Sequence, residues 1–181
     1  MKKLILITGG QRSGKSKEAE ALALSLSPNP VYVATAHIWD EEFRERVRRH
    51  QARRGPQWTN IEEEVYLSRH DVRGRVVLVD CITLWLTNLL CRTNGTTGTH
   101  ESHETHKPHE IFEQAKAEFD AFTSQEATFI FVTNEIGLGG VSENALQRQF
   151  TDLQGWMNQY IAQKADEVIL MVSGLPVSLK K

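Results

Sequence analysis

Eight consecutive residues, Gly9-Gly10-Gln11-Arg12-Ser13-Gly14-Lys15-Ser16, form a complete G-x-x-x-x-G-K-S pattern directly after the apolar run Leu4-Ile5-Leu6-Ile7. Residue types in that order bind triphosphates. Backbone amides freed by the glycines close around phosphate oxygens, and a helix starting at Lys15 turns its positive dipole end toward the anion. Lys15 is expected to reach the β- and γ-phosphates, and the Ser16 hydroxyl to take part in a Mg²⁺ site. The plain alternative, a chance match in an ordinary strand–turn–helix, is disfavoured by the agreement between motif and flanking pattern.

A second set of chemically able residues follows other apolar runs. Asp80 closes Val76-Val77-Leu78-Val79, where a phosphate-loop enzyme holds Mg²⁺ or a nucleotide group. Asn134-Glu135 follows Phe129–Thr133 and suits a polar contact or a catalytic base. Turn chemistry accounts for such residues equally well at any one of these places. The segment Glu41–Arg54 is different: Phe43, Val47 and His50 fall at i, i+4 and i+7, among Arg46, Arg49, Arg53 and Arg54. On periodicity alone His50 reads more readily as a half-buried structural histidine than as a catalytic one, and the arginines as a solvated basic face. The arginines repel one another unless an anion neutralises them, as a triphosphate would. A neutral imidazole in such surroundings can attack phosphorus and form a phosphoramidate, splitting one hard transfer into two easier ones.

Positioning these groups requires strands that deliver them to one edge. Short β-rich runs recur at 4–8, 31–34, 76–79, 129–133 and 168–172, separated by segments that read as helices over 15–26, 41–53, 84–91, 111–122 and 143–164. This alternation predicts an α/β fold: a mainly parallel sheet in three layers, with helices on both faces and ligands beyond the carboxyl ends of the strands. In the last helix Leu146, Phe150, Leu153, Met157, Tyr160 and Ile161 form a stripe expected to pack on the sheet. Residues 173–179 suggest a turn and a terminal strand, as in a hairpin.

The chain of 181 residues, 40% hydrophobic, fits one domain over 1–181. A formal charge of −2 supplies no basic field for nucleic acid, so small phosphorylated molecules are the expected partners. Two cysteines in apolar stretches, no signal peptide and no membrane-length apolar run predict a soluble, cytoplasmic protein. Residues 92–109 have the polar composition of an exposed, variable loop. Its His100, His103, His106 and His109 are spaced for incidental metal affinity, but Pro108 interrupts them.

Taken in order, the phosphate loop, Tyr32-Val33-Ala34-Thr35-Ala36, Arg46-Val47-Arg48-Arg49-His50, Trp58-Thr59-Asn60-Ile61-Glu62, the run from Val79-Asp80-Cys81 to Leu90, and Val132–Gly137 make the chain resemble a known family. It is the bifunctional adenosylcobinamide kinase and adenosylcobinamide-phosphate guanylyltransferase family of cobalamin biosynthesis. The resemblance spans essentially the whole chain apart from the histidine-bearing loop.

That resemblance implies a RecA-like phosphate-loop sheet and two activities. The terminal hydroxyl of adenosylcobinamide is phosphorylated with ATP or GTP, and GMP then passes from GTP to the new phosphate through a guanylylated histidine. It places His50 at the GMP-accepting position. It places Gly9, Gly10, Gln11, Arg12, Ser13, Gly14, Lys15 and Ser16 with Ala34, Thr35, Ala36, Gln51, Ala52, Arg53, Arg54, Glu62 and Asp80 around GTP. Ser16 and Asp80 would share Mg²⁺, and Glu62, after a turn anchored by Trp58, would accept hydrogen bonds from guanine or ribose. The implied partners are adenosylcobinamide, its phosphate and further copies of the chain, in a homo-oligomer read as a trimer. Trp85 and the terminal apolar residues suit either the corrinoid ring or the core. A single-function kinase of a small metabolite, with His50 structural, and a nucleotide-gated interaction module are the rival readings.

Overall fold

The computed structural model describes residues 2–38, 40–42, 44, 45, 48, 54–93 and 108–181. In chain order they form β1 (Lys3–Gly9), α1 (Lys15–Leu26), β2 (Val31–Ala34), β3 (Thr59–Glu62), β4 (Val76–Asp80), α2 (Ile82–Thr93), α3 (Pro108–Thr123), β5 (Thr128–Val132), α4 (Ala145–Lys164), β6 (Glu167–Val172) and β7 (Leu175–Lys180). Short 3₁₀ turns occupy Leu67–Arg69 and Gly137–Gly139.

The strands make one sheet in the order β3-β2-β4-β5-β1-β6-β7, parallel throughout except for β7, which returns antiparallel to β6. Central strands are apolar on both sides because both faces are covered, so β1 and β5 read as continuous runs rather than alternating ones. On one face α1 closes against the sheet through Ala19 and Ala23, small residues that allow close approach to Ile5, Ile7 and Leu78. On the other face α2, α3 and α4 bury Trp85, Phe119, Phe122, Leu153 and Met157 over Leu6, Val79 and Phe131. The expected three-layer α/β architecture is therefore the one observed.

Three local expectations change. Glu62, expected after a turn anchored by Trp58, closes an edge strand, Thr59–Glu62, paired with β2. Only Ile61 of its residues is even half-buried, so no apolar alternation marks it in the sequence. The expected turn precedes this strand, closed by the Trp58 amide donating to Gly55 O, and Trp58 itself packs edge-on to Tyr32 with ring centroids 5.9 Å apart. In α4 the stripe is shifted: Leu146 is 54% exposed, whereas Gln154 and Asn158 are buried. These polar side chains are tolerated because they bond to each other and to Thr133 at 2.7–2.9 Å, and Asn158 Nδ2 donates to Asn134 O at 3.1 Å. Finally, the polar stretch expected over 92–109 is trimmed at both ends, since α2 runs to Thr93 and α3 begins at Pro108. His109 sits on α3 with its ring 6.4 Å from that of Trp156, while His100, His103 and His106 lie outside the described residues.

The terminal hairpin is as expected. Ser173 and Gly174 both have positive φ (51° and 84°), as a tight two-residue turn between strands requires. Its tip rests on the phosphate loop, where the Gly174 amide donates to Ser13 O at 3.0 Å.

Candidate active site at the carboxyl edge of the sheet

The sheet register gathers residues distant in sequence. Glu62 lies beside Ala34, Ala34 beside Asp80, Asp80 beside Val132, and Val132 beside Ile7, one row across five strands. With neighbouring strands about 4.8 Å apart, Glu62 and Asp80 stand about 10 Å from each other in that row. The phosphate loop leaves β1 two residues beyond Ile7. Ala34, Glu62, Asp80 and the loop thus share the carboxyl edge, where an open parallel sheet binds its ligands.

Close packing shapes the loop. Gly9 has φ 150°, and a Cβ there would stand 2.5 Å from Met171 O and 2.8 Å from Ser13 Oγ, so no other residue fits without moving β6. Gly14 caps α1 in the left-handed region at φ 99°. Lys15 is 7% exposed, and its ammonium curls back onto the loop, donating to Gly10 O at 2.5 Å and Ser13 Oγ at 3.4 Å. Burial lowers its pKa from the ordinary lysine value, with Cys81 and Asp80 pulling the other way. Loop, lysine and helix start can together hold a polyphosphate.

Asp80 is tied to the neighbouring strand. Tyr32 Oη donates to Asp80 Oδ2 at 3.0 Å, and burial, then the Asp80 charge, push the Tyr32 pKa well above its usual value. Arg54 stacks on the same Tyr32, its Cζ 3.6 Å from the ring centroid, and its Nε donates to Asn60 Oδ1 at 3.1 Å. Arg54 Nη1 is buried without a hydrogen-bond partner among the described residues, a donor available to an anionic ligand.

The Thr35 side chain is turned into the interior. It is 0% exposed, and its hydroxyl both donates to Cys81 O and accepts from the Cys81 amide, each at 2.8 Å. The Cys81 thiol itself is pushed up to about 12 by burial, which makes it an inert neighbour of the site. Trp85, a candidate for corrinoid contact, is also 0% exposed and donates through Nε1 to Val65 O at 2.8 Å, so it belongs to the core.

A cleft of about 690 Å³ opens beside this row, lined by Ala34, Ala36, His37, Glu62 and Tyr66 among others. Its walls follow β2 and β3, and one buried side chain joins them. Asn88 Nδ2, on α2, donates to Thr35 O at 2.7 Å and to Glu64 O at 3.0 Å. Sequence reasoning missed Asn88 because an amide in an apolar helix carries no sign of which distant carbonyls it serves. Removing it strands two carbonyls, so Asn88→Ala is expected to lower unfolding free energy by about 2 kcal/mol, read as a shift in urea midpoint. Asn88→Asp should cost more at neutral pH, because an anion then faces two carbonyl oxygens.

His50, Gln51, Ala52 and Arg53 lie outside the described residues, as do Arg46 and Arg49. The adjoining Glu41, Glu42, Arg44, Glu45 and Arg48 are helical, and Arg44 pairs with Glu41 at 2.8 Å. Glu135 meets the loop through its backbone, its amide donating to Gly9 O at 3.1 Å, whereas the Asn134 amide donates to Thr83 Oγ1 on α2 at 3.0 Å.

A family model described as CobU, cobinamide kinase / cobinamide phosphate guanyltransferase, matches residues 5–179. The bifunctional adenosylcobalamin biosynthesis proteins CobU of Salmonella typhimurium and Escherichia coli are 36% and 37% identical over 181 residues, with 98% of this chain and 99% of each relative covered. CobP of Pseudomonas aeruginosa, under the same description, is 38% identical over 97% of this chain and 96% of its own. Among solved structures, a prototypical ATPase from the type III secretion system of pathogenic bacteria superimposes with a TM-score of 0.52 at 12% identity, over 98% of this chain and 57% of that one. It shares the fold.

Proposed function

The chain belongs to the cobinamide kinase / cobinamide phosphate guanyltransferase family, and on that footing we propose how its residues divide two reactions. It is an enzyme that phosphorylates cobinamide and transfers a guanylyl group to cobinamide phosphate. In the first reaction the phosphate loop and Lys15 hold the β- and γ-phosphates of ATP or GTP, while the terminal hydroxyl of adenosylcobinamide attacks the γ-phosphorus. In the second, the His50 imidazole attacks the α-phosphorus of GTP. A P–N bond forms as the bond to pyrophosphate breaks, and the acceptor phosphate then displaces the imidazole to give adenosylcobinamide-GDP. Arg54, with Gln51, Ala52 and Arg53, lies next to His50 in sequence and lines the nucleotide; Glu62 accepts hydrogen bonds from the guanosine.

Mg²⁺ fits the donors present. Asp80 and Ser16 supply two hard oxygens, and no cluster of three or more His, Cys, Asp or Glu side chains exists among the described residues. A cation that takes one or two protein oxygens and completes its shell with phosphate and water suits such a set. When bound by Ser16 and Asp80 it would neutralise charge on the phosphates.

The observation that supports this reading best is the shared row of Glu62, Ala34 and Asp80 beside the phosphate loop. We place the protein in the cytoplasm as a homo-oligomer read as a trimer; among the described residues no helix is long and apolar enough to cross a membrane. Exposed Leu175, Val177 and Leu179 on β7 support self-association. Treating the protein with GTP, followed by intact-mass and peptide mass spectrometry, is expected to show one GMP on His50. An unmodified protein under conditions that consume GTP and yield adenosylcobinamide-GDP would exclude the covalent route.

A further inference from the structure

Two guanidinium groups in the cleft have no part in the roles given above. Arg69 ends the 3₁₀ turn Leu67–Arg69, Arg92 lies in the last turn of α2, and both line the cleft together with Ala36 and Glu62. Their Cζ atoms stand 3.9 and 5.4 Å from the centroid of Tyr66, so one aromatic ring carries two cations.

Carboxylates line the same walls, yet they are engaged elsewhere. Glu63 accepts from the amides of Val65 and Tyr66 at 2.9 and 2.8 Å and meets His70 at 3.2 Å. Burial alone would raise its pKa, but these hydrogen bonds and the charge of His70 hold it below the usual value. Glu64 pairs with His37 at 2.8 Å. Neither Arg69 nor Arg92 makes an ion pair or a side-chain hydrogen bond within the described residues. Two like charges held on one ring, with no carboxylate paired to either among the described residues, are arranged for an anion from outside. Planar forks of donors select a phosphate group.

Position distinguishes one phosphate source from another. The phosphate loop leaves β1, whereas the cleft opens at β2 and β3, and two strands separate β1 from β2. Three interstrand steps span about 14 Å, further than adjacent phosphates of one nucleotide reach. Building on the two-reaction reading, we propose that Arg69 and Arg92, set against Tyr66, receive the phosphomonoester of cobinamide phosphate in guanylyl transfer. They hold two of its oxygens while a third forms the new P–O bond. The P–N bond to the imidazole breaks in the same step, and its electron pair returns to the ring nitrogen. The arginines bind and orient; they exchange no proton.

The test measures guanylyl transfer by the full chain for R69Q, R92Q, the double variant and the pair of lysine variants, with cobinamide phosphate and GTP varied separately. The KM for cobinamide phosphate is expected to rise about tenfold in each glutamine single variant and about a hundredfold in the double, with the GTP KM within about twofold. Lysine variants, which keep charge but lose the fork, should fall between. The acceptor KM of the parent should climb with ionic strength, and that of the double variant should stay nearly flat. An unchanged acceptor KM in a double variant that melts like the parent would overturn the proposal. So would a rise in the GTP KM in its place, which would give the arginines to the nucleotide. Absence of any transfer by the parent protein would instead defeat the two-reaction reading, and this site with it.

Discussion

Lys15→Ala is expected to lower kcat/KM about 10³-fold in both cobinamide phosphorylation and guanylyl transfer, measured separately with ATP and GTP. Both reactions use a triphosphate, and Lys15 is the loop's own ammonium, 7% exposed and held by Gly10 O. Stability should behave in the opposite sense. A lysine whose folded pKa is depressed by burial is disfavoured as a cation in the fold, so its charge opposes folding below the folded pKa and ceases to do so above the unfolded one. Lys15→Met, which keeps the aliphatic stem, is therefore expected to be equally inactive while its urea midpoint at neutral pH matches or exceeds the parent's. A variant that retained either activity at parental level would remove the loop from that reaction.

His50→Ala is expected to abolish guanylyl transfer, by on the order of 10⁴-fold, and to leave phosphorylation of cobinamide within about threefold of the parent. The asymmetry follows from chemistry: attack by the substrate hydroxyl on the γ-phosphorus needs no imidazole, whereas transfer of GMP through a phosphoramidate has no nucleophile without one. The measurement is product analysis by chromatography, with cobinamide phosphate accumulating and no cobinamide-GDP appearing. Equal loss of both products in a folded variant would make His50 a structural residue. Retention of both would leave the guanylyl group with another acceptor.

How far these roles were legible varied with the range of the interactions behind them. The phosphate loop is local, for Gly9, Gly14 and Lys15 act through conformation and charge within one turn, and their spacing states their chemistry. Asp80 was legible because a polar residue closing an apolar run in a parallel sheet must emerge at the ligand edge. The edge strand Thr59–Glu62 was hidden by its exposure: a strand with water on most sides needs no apolar alternation. Gln154 and Asn158 interrupted the predicted stripe of α4 because their buried amide nitrogens donate to Thr133 and Asn134, more than twenty residues away in the chain.

Residue types and short spacings by themselves determined the triphosphate loop, the α/β alternation, the hairpin at the end and the family resemblance, since each element and motif depends on neighbours within a few positions and the rest is their order along the chain. Only the tertiary structure decided that Thr35 is spent on Cys81, that Asn88 clamps both walls of the cleft, and that Arg69 and Arg92 converge on Tyr66. Those outcomes depend on strand register and on which carbonyls and rings come to face a side chain across the fold. Hydrogen bonds and charge contacts act over a few ångströms, and such distances between remote residues exist only after the sheet has assembled.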